Sequence, residues 1–216
     1  QSNVLGTIMA LEYCRTHNVK LIFISSYLYG NADKFPTNEK AKIKINNPLA
    51  QTKMTAETIC KFYSKYYGLK IIITRMFSYT NPRRNDLFQT SFAKQIADIE
   101  KGKKKILFHG NLNSVRNVID ITDAMEAYWL TAKRGRVGEI YNIGGNKVIS
   151  VGNYLKELKK LSNVKIKSKI NKKLLRPVDV TLQIANTGKF KRDTNWSPKI
   201  SFRKSIMELL EKFRRS

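Results

Sequence analysis

The sequence predicts an α/β fold built on a parallel sheet. Two observations carry that expectation. Short aliphatic, β-branched runs such as 21–24 and 71–73 alternate with longer segments of helical period. The alternation is closely spaced, which suits strands laid side by side with helices between them. Glycines punctuate the pattern at 30, 68 and 144–145, where the chain has to turn.

Each element follows from local chemistry. Residues 3–17 read as a helix with Ile8, Leu11 and Tyr13 among its apolar positions, and 21–25 as a buried strand. Residues 31–47 are polar and charged, a loop. Pro48 suits a first helical position, and the helix it opens runs to Tyr67, ended by Gly68. Residues 70–74 form a second strand. Residues 86–102 place Phe88, Phe92, Ile96 and Ile99 on one helical stripe. Strands are expected at 106–109, 118–121, 139–143 and 165–170. Asp123 is expected to cap a helix carrying Met125, Tyr128 and Trp129. Residues 151–161 form an amphipathic helix, and further helices at 187–193 and 202–213 flank the Trp196-Ser197-Pro198 break. The main sheet is expected over residues 1–85. A smaller lobe is expected over 86–216, with some of its segments returning to that sheet.

Bulk properties narrow the class. A chain of 216 residues and 24.9 kDa can bury a core. No run approaches the ~20 apolar residues of a membrane span, and the first residues carry no signal-like pattern, so a cytoplasmic protein without a membrane partner is expected. Cys14 and Cys60 have no metal-type spacing and read as buried free thiols. The net charge of +25 has the sign of a nucleic-acid binder. Its lysines, however, run the whole length beside many Ile and Asn, as A/T-rich codon usage also produces. The clusters at 101–105, 165–173, 189–192 and 214–215 lack interleaved aromatics, so they read as solvated faces and nucleic acid is not the expected partner.

The segment 21–57 carries the chemistry. LIFISSYLYG delivers Ser25 and a Gly30 turn, and NNPLAQTKMTAE opens a helix bearing Lys53. The order Ser25, Tyr29-Gly30, Asn47-Pro48, Lys53, then a strand and Thr74-Arg75, resembles the catalytic segment of the extended short-chain dehydrogenases. More narrowly, it resembles their nucleotide-sugar epimerase and dehydratase branch. Further blocks run in order through the chain: TRMFSYTNPRRNDLF (74–88), FAKQIADIEKG (92–102), HGNLNSVRNVIDITDAMEAYWL (109–130), EIYNIGG (139–145) and LLRPVDVTLQIANTGKFKRDTNWSPKISF (174–202). Together they resemble the GDP-mannose 4,6-dehydratases and the related GDP-4-keto-6-deoxymannose reductases.

That resemblance implies a partial Rossmann-type parallel sheet with a smaller C-terminal α+β substrate lobe. It implies an enzyme using NADP or NAD on a GDP-sugar. Ser25 would donate to the sugar oxygen, and Lys53 would hold the nicotinamide ribose and lower the pKa of a neighbouring phenol. Phe77, Ser78 and Arg84 would lie on the cofactor side. Arg116 and Arg176 would clamp the diphosphate, Asp179 would accept from the nucleotide ribose, and Asn111 and Leu112 would lie by the base. The chain departs from the pattern at working positions. Leu49 stands where the family has its catalytic Tyr, and Tyr27 where the dehydratases place a Glu. Ser78, Tyr79 and Asn117 also differ. No G-x-x-G-x-x-G turn occurs in the 216 residues. The expectation is therefore a family member without its first half-domain, catalytically impaired. Its partner would be a second copy or an intact homologue, and its exposed sheet edge would make it a marginal, aggregation-prone monomer.

Overall fold

The computed structural model describes residues 2–216. Helix α1 (Ser2–His17) leads into β1 (Leu21–Ser26), and α2 (Pro48–Tyr67) into β2 (Ile71–Met76) and β3 (Ser78–Thr80). Helix α3 (Phe88–Glu100) precedes β4 (Leu107–His109) and β5 (Val115–Asp120). Then come α4 (Ile121–Arg134), β6 (Ile140–Ile143), β7 (Lys147–Ser150), α5 (Val151–Lys160), β8 (Ser168–Ile170) and a 3-10 turn (Lys172–Leu174). Strand β9 (Leu182–Gln183), α6 (Gly188–Thr194) and α7 (Phe202–Arg214) complete the order.

The chain forms two compact units. The first comprises the chain up to Phe77 together with Ala124–Gly144 and Ile184–Ser197. Its sheet has the order β1-β2-β6, parallel throughout, with Ser25 opposite Arg75 and Arg75 opposite Asn142. Leu11 and Cys14 of α1 and Ala56 and Cys60 of α2 bury against Phe23, Ile71 and Ile73. Both cysteines are buried and free, and burial pushes the Cys60 thiol up to about 12. Helix α2 begins where Asn47 accepts the Ala50 N–H at 2.9 Å, with Pro48 behind it. It ends at Gly68, in the left-handed conformation.

A buried ion pair ties this unit together. Arg75 on β2 meets Glu57 on α2 through Nε (3.0 Å) and Nη2 (2.6 Å), with both side chains almost wholly buried. Arg75 also donates to the Tyr29 hydroxyl, which in turn donates to Asn142 Oδ1 at 2.7 Å. Asn142 donates onward to the Thr37 carbonyl and the Glu39 carboxylate. The polar loop 31–47 is thus pinned to the sheet through one backbone carbonyl and one side-chain carboxylate.

The second unit comprises Ser78–Asp123, Gly145–Gln183 and Pro198–Ser216. In it β5 is central, parallel to β3 and β9 and antiparallel to β7, while β4 and β8 form a separate parallel ribbon. Phe92 and Ile96 of α3, Tyr154 and Leu158 of α5, and Ile206 and Leu210 of α7 make its core. Arg214 on α7 reaches Glu100 at the end of α3 (2.6 and 2.8 Å).

Several local expectations are corrected. Asp123 does not cap α4 but lies inside its first turn. Its carboxylate accepts the Lys199 and Ile200 N–H groups (3.1 and 2.9 Å), so it anchors a segment 76 residues later. Residue 121 opens that helix instead of ending a strand, and the strand begins three residues earlier than its apolar core, at Val115. Strands β3, β7 and β9 are absent from the sequence reading. They have two to four residues each, too short for a period of two to register.

Candidate functional site

In the first unit the residues gather where β1 ends. Ser25 is 3% exposed, and its hydroxyl has no hydrogen-bond partner. A buried hydroxyl left unpaired costs about 1–3 kcal/mol, so the fold retains it against its own stability. Lys53, one turn into α2, donates to the carbonyl of Ile24, the residue before Ser25, at 2.7 Å. Its ammonium also lies 5.2 Å from the centre of the Phe23 ring. Burial holds the Lys53 ammonium below its usual range. Leu49, one helical turn before Lys53, is 56% exposed. Tyr27 is packed edge-on against Phe77 (5.0 Å) and Tyr29 (5.4 Å), and its hydroxyl donates to the Gly30 carbonyl at 2.7 Å. Phe77 is buried in that aromatic group. The structure therefore brings Lys53 to the backbone beside Ser25, with Leu49 exposed one turn earlier on the same helix.

The second unit holds two polar clusters. One centres on Asp179. Its Oδ2 accepts from Ser114 Oγ (2.6 Å) and Asn111 Nδ2 (2.8 Å), and its Oδ1 lies 3.6 Å from Arg116 Nη2. Burial pushes the Asp179 carboxyl up, but the Ser114 and Asn111 hydrogen bonds and the Arg116 charge outweigh it. The net effect holds the group below the ordinary carboxylate range. Leu112 contributes backbone: its carbonyl accepts the Gly152 N–H at 2.8 Å. Ser114 is absent from the sequence reading. It is buried on the turn into β5, and only its position between Asn111 and Arg116 could have marked it.

The other cluster centres on Asp86. Arg84 donates to it through Nε at 2.8 Å and through Nη2, and to the Tyr79 hydroxyl at 2.9 Å. These hydrogen bonds, with the Arg176 charge, hold the Asp86 carboxyl low. Arg176 is exposed and its charge acts on Asp86, while Arg116 lies beside Asp179. Ser78 accepts from Gln89 Nε2 at 2.9 Å.

Comparison with known proteins gives these clusters a context. The family model described as GDP-mannose 4,6 dehydratase matches residues 1–209. A dTDP-D-glucose 4,6-dehydratase from Dictyostelium discoideum is 28% identical over 179 residues, covering 77% of this chain and 40% of its own. A GDP-6-deoxy-D-mannose reductase from Pseudomonas aeruginosa is 24% identical over 217 residues, covering 97% and 71%. The solved structure of RMD from Pseudomonas aeruginosa complexed with NADPH superimposes with a TM-score of 0.91 at 22% identity. That match covers 99% of this chain and 73% of that one, and it establishes likeness of fold. The chain thus spans between 40% and 73% of the length of these proteins.

Proposed function

The chain belongs to the GDP-mannose 4,6-dehydratase family, and from that premise we propose that it binds a GDP-linked sugar and turns it over slowly or not at all. One observation carries the reading: Lys53 reaches the residue beside an unpaired, buried Ser25 hydroxyl, while the proton-transfer position one turn away is occupied by exposed Leu49.

Residues 1–85 would serve the dinucleotide and 86–216 mainly the nucleotide sugar. The orphaned hydroxyl of Ser25 and the partly buried ammonium of Lys53 fit the ribose and nicotinamide end of NADP or NAD. That cofactor supplies hydride exchange when bound. Lys53 would hold its ribose hydroxyls, Ser25 would donate to the sugar oxygen, and Phe77, with Ser78 and Arg84, would border the ring. Arg116 and Arg176 would grip the diphosphate once drawn from their carboxylates, and Asp179, kept ionised, would accept from the ribose with Asn111 and Leu112 beside the base. Leu49 can neither take nor give a proton, and loss of a positioned acid–base group costs about 10²–10⁴ in rate. A cytoplasmic location, where sugar nucleotides are made, suits this role. The reductase reaction of the same family is the alternative chemistry.

Calorimetric titration with GDP-mannose should show saturable binding that weakens at least tenfold in Arg116→Ala. Mass spectrometry of timed incubations with GDP-mannose and NADP should show 4-keto-6-deoxy product, if any, forming at least about a hundredfold below an ordinary enzymatic rate. Product formed at an ordinary enzymatic rate would refute the impaired reading, and absence of binding would refute the site.

A second reading rests on the terminal place of β1 in its sheet and on exposed apolar stripes, Leu5, Met9 and Tyr13 on α1 and Phe62 and Tyr66 on α2. These features suit a non-catalytic subunit pairing with a second copy or an intact homologue. Light scattering with and without such a homologue separates this role from a monomeric binder.

A further inference from the structure

Parallel pairing of β4 with β8 joins two lysine clusters that lie about sixty residues apart in sequence. The register sets Phe108 against Lys169 and Leu107 against Ser168. Lys103 and Lys105 lead into one strand, and Lys165 and Lys167 into the other. The 3-10 turn follows without a break, its Leu174 carbonyl lying 2.6 Å from where a Cβ on Gly110 would sit. Lys104 pairs with Asp98, but no ion pair engages Lys103, Lys105, Lys165, Lys167 or Lys169 among the described residues.

Apolar side chains stand among these charges. Phe108 is 43% exposed and Ile170 50%, and Ile106, Leu174 and Leu175 are exposed as well. A solvated charged face has no reason to expose this many large apolar groups in one place. The cross-strand partners Phe108 and Lys169 share one face of the ribbon, so an exposed apolar ring and a lysine stand side by side there.

We propose that the β4–β8 ribbon and the turn after it dock on an anionic lipid surface. The composition selects this occupant. Residues 101–110 and 164–175 contain no arginine and one phenylalanine. A nucleic-acid surface draws on guanidinium forks and stacked aromatics, whereas lysine with Ile and Leu suits headgroup phosphates with the acyl boundary beneath. Such docking needs no spanning segment, and no described helix is long and apolar enough to cross a membrane. Each lysine brought near an anionic leaflet strengthens partitioning roughly fivefold.

Co-sedimentation of the full chain with phosphatidylcholine vesicles, with and without phosphatidylserine, tests the proposal. Binding should require phosphatidylserine and fall steeply with salt. Joint replacement Lys103→Glu, Lys105→Glu, Lys167→Glu and Lys169→Glu should abolish it, and the matching Gln set, which avoids new repulsion, should weaken it at least tenfold with the circular dichroism spectrum unchanged. Phe108→Ser should weaken binding while leaving its salt dependence intact. Equal binding to pure phosphatidylcholine, or a folded Gln set that binds like the parent, overturns the proposal. So does tighter binding to polyuridylate than to the anionic vesicles at physiological salt, which would assign the surface to nucleic acid.

Discussion

Ser25 shows what one atom discloses. Its hydroxyl is buried without a partner while Lys53 bonds to the carbonyl next door. Removing the hydroxyl should therefore stabilise the fold, by about 1–3 kcal/mol. The same change should weaken binding of the GDP-sugar. Urea unfolding of Ser25→Ala beside calorimetry checks both; a loss of several kcal/mol would show the hydroxyl to be structural. The opposite behaviour is expected at Glu57. Glu57→Gln leaves the Arg75 guanidinium buried without its charge partner, which typically costs about 3–5 kcal/mol. Replacing both partners by apolar residues should recover most of that loss, and the same urea series measures it.

At the scale of elements, the turn from β1 into the polar loop depends on Gly30. It lies at φ +54°, and a Cβ there would sit 2.5 Å from the Lys44 carbonyl oxygen. Gly68, at the end of α2, has φ +67° but open space around it. Gly30→Ala should therefore destabilise well beyond the roughly 1 kcal/mol expected of Gly68→Ala. Thermal melts of the two variants compare strain plus collision with strain alone, and equal losses would mean that the loop yields. Most elements were readable from periodicity and punctuation. Residues 48–67 were bounded by Pro48 and Gly68 in sequence and in space alike. Asp123 was misread because its partners, the N–H groups of residues 199 and 200, are remote in sequence.

For the whole molecule, the acid limb of stability should report on the Glu100–Arg214 pair. The Arg214 hydrogen bond, helped by Asn163 and Ser162 and opposed by burial, draws the Glu100 carboxyl to about 2. A carboxylate whose folded pKa is depressed stabilises the fold fully above its unfolded value, and that contribution is lost as pH falls through the folded one. Stability should therefore decline from about pH 4.5 toward pH 2, and Glu100→Gln should flatten that part of the curve. Denaturant midpoints across this range would show it, and identical slopes in parent and variant would exclude the pair as the cause. The exposed stripes and terminal β1 also predict self-association that rises with protein concentration, read by sedimentation velocity.

The residues alone determined the α/β class, the order of most elements and the family, because these depend on local period and on side-chain identity at matched positions. Tertiary structure alone decided the partners. It joined Arg75 to Glu57, gathered Ser114 with Asn111 around Asp179, and set the lysine-rich approach to β4 beside the one to β8. Such pairings depend on strand register and helix packing, which bring distant residues within hydrogen-bond reach and leave no mark in the spacing of either segment.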